Sequence, residues 1–156
     1  MSETAEMSNG ANEQKYLIFS ISDRQYAFPA EVIGEVANCD PVFPLPLLPS
    51  FALGFINRYS IPYVMFDIGF LLTNVQGPRN EALVIKGEID YVAFSIDKVS
   101  GIASITPDKL NRLEAGSRPD ETTGTVYASF KWNNADVFVI DIQRILKRAA
   151  AEGTVQ

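Results

Sequence analysis

Two stretches of the chain read MFDIGFLL (residues 65–72) and VIDIQRIL (residues 139–146). In each, two apolar residues precede an aspartate and an isoleucine follows it. A pair of apolar residues then lies three and four positions after that isoleucine. An aspartate after an apolar strand is well placed to cap the N–H groups of the next turn. Asp67 and Asp141 could instead form a catalytic carboxylate pair. Their matching places in two similar stretches favour the capping role.

A second correspondence places these stretches within a longer repeat. At an offset of 66 positions, LIF at 17–19 falls on LVI at 83–85, and Val36 falls on Ile102. The aspartates lie slightly further apart, and the extra residues fit within the polar segment 112–124. Any two β-rich segments share apolar strings, but the ordered recurrence favours an internal duplication.

Local patterns predict short strands in both copies. Runs of aromatic and branched residues alternate with polar turns, as is typical of small β proteins. The predicted strands are 16–21, 26–28, 52–56, 63–68, 81–86, 91–96, 126–132 and 136–140, with a turn or 3₁₀ segment leading to a strand over 30–36. Four prolines between residues 40 and 49 predict an extended connector. Two series of strands therefore predict two small β-barrels.

The domain boundaries follow from the same patterns. Residues 1–14 are small and polar and predict a disordered arm. The first barrel is expected over about 15–79 and the second over about 80–146. A C-terminal helix is expected over 141–151, because Asp141 can cap an apolar stripe that follows it.

The composition excludes several classes of function. The chain has no histidine, which removes Ser–His and Cys–His nucleophile pairs and histidine-containing metal sites. Its lone Cys39 cannot form an internal disulfide, which favours a reducing cytoplasm. A net charge of −6 with scattered basic residues argues against nucleic-acid binding. No apolar stretch reaches the roughly 20 residues of a membrane span.

From these absences we expect no catalytic residues, no cofactor, no metal ion and no insertion into a membrane. The sequence also lacks the common glycine-rich phosphate-binding loops. An enzyme built on this chain would depend on carboxylates, lysine or tyrosine alone.

An ordered set of motifs resembles the CheW-like domain family. The motifs are YLIFSI (16–21), YAFP (26–29), VIGEV (32–36), the proline-rich connector, LGFIN (53–57), the aspartate at 67 and FSIDKV (94–99). The resemblance covers about residues 15–147, and we assign the CheW-like domain to residues 15–150.

The resemblance implies an all-β fold with short helices: two small five-stranded SH3-like β-barrels packed on a shared core, plus a C-terminal helix. It also implies a non-enzymatic cytoplasmic adaptor that couples the cytoplasmic tip of a chemoreceptor to the histidine kinase CheA. The first barrel would bind the regulatory domain of CheA, and the groove between barrels would bind a receptor helical hairpin. The alternative is a divergent CheW-like module of another kinase pathway, or a scaffold that associates with itself.

One stretch departs from the family pattern. Where the family reads Asn-Leu-Arg-Gly before its next strand, this chain reads NRYS at 57–60. Tyr59 thus replaces the arginine, and Ser60 replaces the glycine, which predicts a reshaped turn. Glu35 can pair with that arginine in the family, so here it has either Arg58 as its partner or none.

The candidate kinase- and receptor-binding residues lie in this turn and near the expected groove. They are Ile33, Glu35, Val36, Asn57, Arg58, Tyr59, Val99 and Ile102. The four apolar residues among them either line the groove or belong to the core. Glu35 is either a partner contact or part of a solvated face.

Overall fold

The computed structural model describes residues 12–39, 42–44, 48–49, 51–87, 91–113 and 124–154, the last four of these by their backbone alone. Most of the predicted N-terminal arm and of the polar segment 112–124 lies outside these residues. The same is true of much of the proline-rich connector and of most of the turn predicted at 87–90.

Eleven strands and two α-helices make up this part of the chain. The strands are β1 (Gln14–Ile21), β2 (Arg24–Pro29), β3 (Ile33–Asn38), β4 (Ala52–Arg58), β5 (Ile61–Asp67), β6 (Glu81–Ile85), β7 (Val92–Ile96), β8 (Lys98–Ile105), β9 (Asn111–Arg112), β10 (Val126–Trp132) and β11 (Ala135–Ile140). The helices are α1 (Ile68–Thr73) and α2 (Ile142–Thr154), and short 3₁₀ turns occupy Ala30–Val32 and Pro107–Lys109. All the predicted strands are present, and α1 is an element that the sequence patterns did not predict.

The strands form two sheets. Sheet 1 has five strands in the order β3-β6-β7-β5-β4, and sheet 2 has six in the order β8-β1-β2-β11-β10-β9. The predicted mostly β fold class is confirmed, with one difference: sheet 2 includes the two-residue strand β9 as a sixth member.

Three apolar clusters show how the sheets pack. One cluster contains Ile56, Met65 and Val84 and draws only on strands of sheet 1 and the adjoining connector. A second contains Ile18 and Phe130 and draws on sheet 2. The third is the shared core, in which residues of both sheets meet α1 and α2; its members include Phe19, Phe28, Leu72, Leu83, Phe94 and Ile145. Each sheet thus has an inner cluster, and the shared core holds the two sheets together.

The two sheets exchange hairpins between the copies of the repeat. The β1–β2 hairpin of the first copy lies in sheet 2 with β8 to β11, while the β6–β7 hairpin of the second copy lies in sheet 1 with β3 to β5. Each exchanged hairpin joins the strands of the other copy through a parallel strand pair: β2 pairs with β11, and β7 pairs with β5.

The predicted barrel boundaries, 15–79 and 80–146, therefore do not match the sheets. Pro29 ends β2, and the 3₁₀ turn Ala30–Val32 then carries the chain from sheet 2 to sheet 1. A division by sequence position fails because each copy contributes strands to both sheets.

The duplication extends to the irregularities of the strands. The bulge of β3 falls at Gly34 and that of β8 at Ser100, which is the equivalent position. Likewise the β4–β5 hairpin turns at Tyr59-Ser60, and the β10–β11 hairpin turns at Asn133-Asn134. The internal repeat inferred from the sequence is thus a repeat of backbone geometry.

Asp67 and Asp141 both cap helices. The Asp67 carboxylate accepts the N–H of Phe70 at 3.1 Å and also the N–H of Gly77 at 3.0 Å, so it fixes both α1 and the loop after it. The Asp141 carboxylate accepts the N–H groups of Gln143 and Arg144 at 3.0 and 3.2 Å. Asp67 is only 1% exposed, whereas Asp141 lies partly in solvent. Both carboxylates therefore have structural roles.

The C-terminal helix closes the shared core. Ile145 and Ala149 of α2 are buried in that core, and Arg148 donates from Nε to the carbonyl oxygen of Leu71 at 2.8 Å. This bond satisfies one of the carbonyls that the end of α1 leaves without an intrahelical donor. Among the described residues, no helix has the length and apolar character needed to cross a bilayer.

The two caps allow a matched stability test. We expect Asp67→Ala to lower the free energy of unfolding by about 3 kcal/mol, since it removes a buried carboxylate and leaves the partly buried N–H groups of Phe70 and Gly77 without an acceptor. Asp141→Ala should lower it by about 1 kcal/mol, the usual value of an exposed cap. Urea denaturation of both variants measures the difference, and equal losses would contradict the buried role assigned to Asp67.

Candidate protein-binding site

The turn between β4 and β5 is unusually tight. Arg58 pairs with Ile61, which leaves only Tyr59 and Ser60 in the loop, with φ angles of 52° and 67°. Two consecutive positive φ angles define the type I′ geometry that suits the twist of a hairpin. Neither residue is glycine, and both occupy the left-handed region that favours glycine.

Arg58 is the partner of Glu35. Its Nε donates to Glu35 Oε1 at 2.9 Å and its Nη2 to Oε2 at 2.6 Å, a bidentate geometry. The two side chains are about a third and a quarter exposed. Because Glu35 lies on β3 and Arg58 on β4, the pair joins the two edge strands of sheet 1. Of the two alternatives that the sequence left open for Glu35, the structure thus shows the one in which Arg58 is its partner.

Electrostatics at this pair follow from its geometry. The hydrogen bonds from Arg58 lower the pKa of the Glu35 carboxyl below its ordinary value of 4.5. The same bonds raise the pKa of the Arg58 guanidinium. The guanidinium also lies 5.5 Å from the centre of the Tyr59 ring, a cation–π distance. Arg58 therefore connects the carboxylate to the aromatic ring at the tip of the hairpin.

The remaining candidate residues divide into two groups. Ile33 and Val99 are partly buried against the shared core. Val36 is 41% exposed and Ile102 is 60% exposed, each on an edge strand of its sheet. Asn57 is exposed on β4, next to the ion pair.

A groove beside the turn contains residues that the sequence analysis did not select. It has a volume of about 340 Å³ and is lined by Gly34, Glu35, Tyr59, Tyr63, Lys86 and Gly87, with Val84 and Ile85 beneath them. We call it the Tyr63 groove. Tyr63 and Tyr91 meet edge to face, with ring centres 5.5 Å apart. The alternation of Tyr59, Ile61 and Tyr63 along the hairpin was the only sequence signal for it, and Lys86 comes from a distant strand end.

Comparison with known proteins identifies the fold. The sequence model of the CheW-like domain matches residues 15–150. The chain belongs to the CheW-like domain family. Among solved structures, the scaffolding protein TtCheW from Thermoanaerobacter tengcongensis is similar, with a TM-score of 0.73 and 15% sequence identity. The alignment covers 82% of this chain and 84% of that one, which shows a shared fold. A search of curated protein sequences finds no match.

The CheW-like domain offers surfaces for contact. The described residues contain no group of three or more histidine, cysteine, aspartate or glutamate side chains arranged to hold a metal ion. Within the same residues, every buried side-chain nitrogen and oxygen has a hydrogen-bond partner. Features of the described surface that offer contact chemistry include the ion pair, the Tyr59 tip, the Tyr63 groove and exposed apolar side chains such as Val36 and Ile102.

The lowered pKa of Glu35 predicts a pH-dependent stability. In the folded state the carboxyl titrates below its unfolded value, so its contribution is present above about pH 4.5 and is lost as the pH falls through the folded pKa. We expect the free energy of unfolding of wild type to exceed that of Glu35→Gln by about 1 kcal/mol at pH 7. The difference should shrink as the pH falls through the lowered folded pKa of Glu35. Urea denaturation at several pH values measures this, and a difference independent of pH would refute the ion-pair assignment.

The positive φ angle of Ser60 predicts a stabilising substitution. Glycine adopts this conformation without the Cβ penalty, so Ser60→Gly should raise the free energy of unfolding by about 0.5–1 kcal/mol. The equivalent Asn134, with a φ of 64°, is a natural control, because asparagine tolerates the left-handed region. Asn134→Gly should change stability by only a few tenths of a kcal/mol. Thermal unfolding distinguishes the two, and destabilisation by Ser60→Gly would argue against the type I′ turn.

Proposed function

We propose that this CheW-like domain is a non-enzymatic cytoplasmic adaptor that couples chemoreceptors to the histidine kinase CheA. The observation that carries the proposal is the family match over residues 15–150. The two-sheet fold supports it, because two sheets on one shared core present separate faces to separate partners.

We assign the regulatory domain of the kinase to the face of sheet 1 that holds the Glu35–Arg58 pair and Tyr59. This face combines a bidentate ion pair with an aromatic side chain that is 83% exposed. Tyrosine and arginine are enriched among residues that dominate binding energy at interfaces. Tyr59 and Arg58 are therefore the residues expected to contribute most.

The receptor is assigned to the surface that includes Val36 and Ile102. These residues occupy equivalent positions in the two copies of the repeat, and both are exposed although apolar. An amphipathic helix from a receptor hairpin could cover them with its apolar face. Ile33 and Val99, which pack on the shared core behind them, would support this surface without contacting the receptor directly.

Calorimetry with purified components tests the proposal. We expect the kinase regulatory domain and a receptor cytoplasmic fragment each to bind with a Kd of about 10 μM or tighter. Arg58→Glu should weaken kinase binding about tenfold, and Ile102→Asp should weaken receptor binding by a similar factor. Val75→Asp, at a side chain that is 66% exposed elsewhere on the surface, should affect neither.

The altered turn favours a second candidate, a divergent CheW-like module of another kinase pathway or a self-associating scaffold. It rests on Tyr59 and Ser60, which replace the arginine and glycine of the family pattern. Absence of binding to both CheA and the receptor, together with a stable homo-oligomer in light scattering, would support this candidate over the first.

A further inference from the structure

The Tyr63 groove is a preformed aromatic site. Val84 and Ile85 form its base, and at 3% exposed and fully buried they present almost no side-chain surface there, so the accessible apolar surface belongs to the Tyr59 and Tyr63 rings. The Tyr63 ring in its wall packs against Tyr91, and the two rings meet edge to face at an interplanar angle of 88°. Volumes of a few hundred cubic ångströms with apolar walls and a few polar groups are typical of binding sites. The groove is thus shaped before any partner arrives.

Among the described residues, the rim of this groove carries one lysine, Lys86, on a protein whose net charge is −6. The Glu35 carboxylate is neutralised by Arg58. Lys86 lies on the rim with an exposed side chain, and within the described residues its ammonium pairs with no carboxylate. A carboxylate of a bound partner could therefore form an ion pair with the Lys86 ammonium at this rim.

The internal repeat supplies a comparison for the same place in sheet 2. There the equivalents of Arg58 and Glu35 are Trp132 and Gly101. The Trp132 ring lies so close to Gly101 that an added Cβ would be 2.9 Å from it. In sheet 2 an aromatic ring of β10 thus covers the edge strand β8, whereas in sheet 1 an ion pair joins the two edge strands and an open groove lies beside it.

The two sheets also differ in the residues that hold the left-handed backbone conformations at their hairpin tips. In sheet 2 the left-handed positions are held by Asn133 and Asn134, which tolerate that conformation. In sheet 1 they are held by Tyr59 and Ser60, at a conformational cost of about 1 kcal/mol or more per residue. Strained residues of this kind concentrate at functional sites. The Tyr59 ring extends the groove wall at the strained tip.

We propose that the Tyr63 groove docks a partner-protein segment that carries a large aromatic or apolar side chain next to an acidic residue. The ring enters between Tyr59 and Tyr63 above Val84, and the carboxylate pairs with Lys86. This goes beyond the proposed function, since it specifies the chemistry that a partner must present and holds for any partner on this face.

Peptide titration followed by ¹⁵N-resolved NMR tests the inference. The probe is the blocked peptide Gly-Glu-Phe-Glu-Gly, with two matched peptides in which Gln replaces Glu or Ala replaces Phe. We expect the first peptide to shift the amide signals of Gly34, Val84 and Gly87 with a Kd of about 1 mM. Each matched peptide should bind at least about fivefold more weakly.

Two charge-reversal variants complete the test. Lys86→Glu should weaken the binding of the Glu peptide at least about fivefold and leave the affinity of the Gln peptide unchanged. Lys109→Glu makes the same change in net charge at an exposed residue of the 3₁₀ turn Pro107–Lys109 and should leave both peptides unchanged. Absence of shifts at about 5 mM peptide, or equal affinity of the Glu and Gln peptides, would overturn the inference. Because neither kinase nor receptor is used, such a failure would not affect the proposed function.

Discussion

Burial of both faces of two hairpins is the constraint on which the structure depends. In β1 the side chains of Ile18 and Phe19 point to opposite sides, one to the inner cluster of sheet 2 and the other to the shared core. In β6 Val84 and Leu83 divide in the same way between sheet 1 and the shared core. These strands therefore read as continuous apolar runs, which is characteristic of strands covered on both sides. Only a partner sheet can cover the second face, so neither sheet is complete without the other.

Much of the fold could be predicted because local chemistry determines it. Polar turns between aromatic and branched runs mark the strands, and the adjacent asparagines Asn133-Asn134 are typical of a two-residue hairpin loop, which is where they lie. The recurrence of Asp67 and Asp141 correctly indicated two related units with capping carboxylates.

The exchange of hairpins could not be predicted in this way. Similar sequences in the two copies make both pairings of β2, with β5 or with β11, equally compatible with the patterns, and only the packing decides. Helix α1 was missed because its six residues, with Gly69 and Phe70 among them, are too short to show a helical period.

The candidate site was predictable only in part, because some of its contacts depend on strand register and not on local sequence. The sequence drew attention to Glu35 and to the altered turn, and it left open whether Arg58 would reach the carboxylate. That answer depends on hairpin register, which places Arg58 at the last paired position of β4. The Tyr63 groove was missed because its walls come from β3, the β4–β5 hairpin and the end of β6, segments distant in sequence that meet only in the folded sheet. A strained turn residue is likewise visible only in the backbone.

The hairpin exchange also governs how the chain reaches its folded state. Strand β2 finds its parallel neighbour β11 only after the residues up to Val139 have left the ribosome, since Ala27 pairs with Val139. Contacts between residues so distant in sequence slow folding and make it depend on chain completion. The same connectivity removes any stable half-folded species that keeps one sheet and loses the other. A nascent or damaged chain therefore does not present the surface of one sheet in its native form without that of the other.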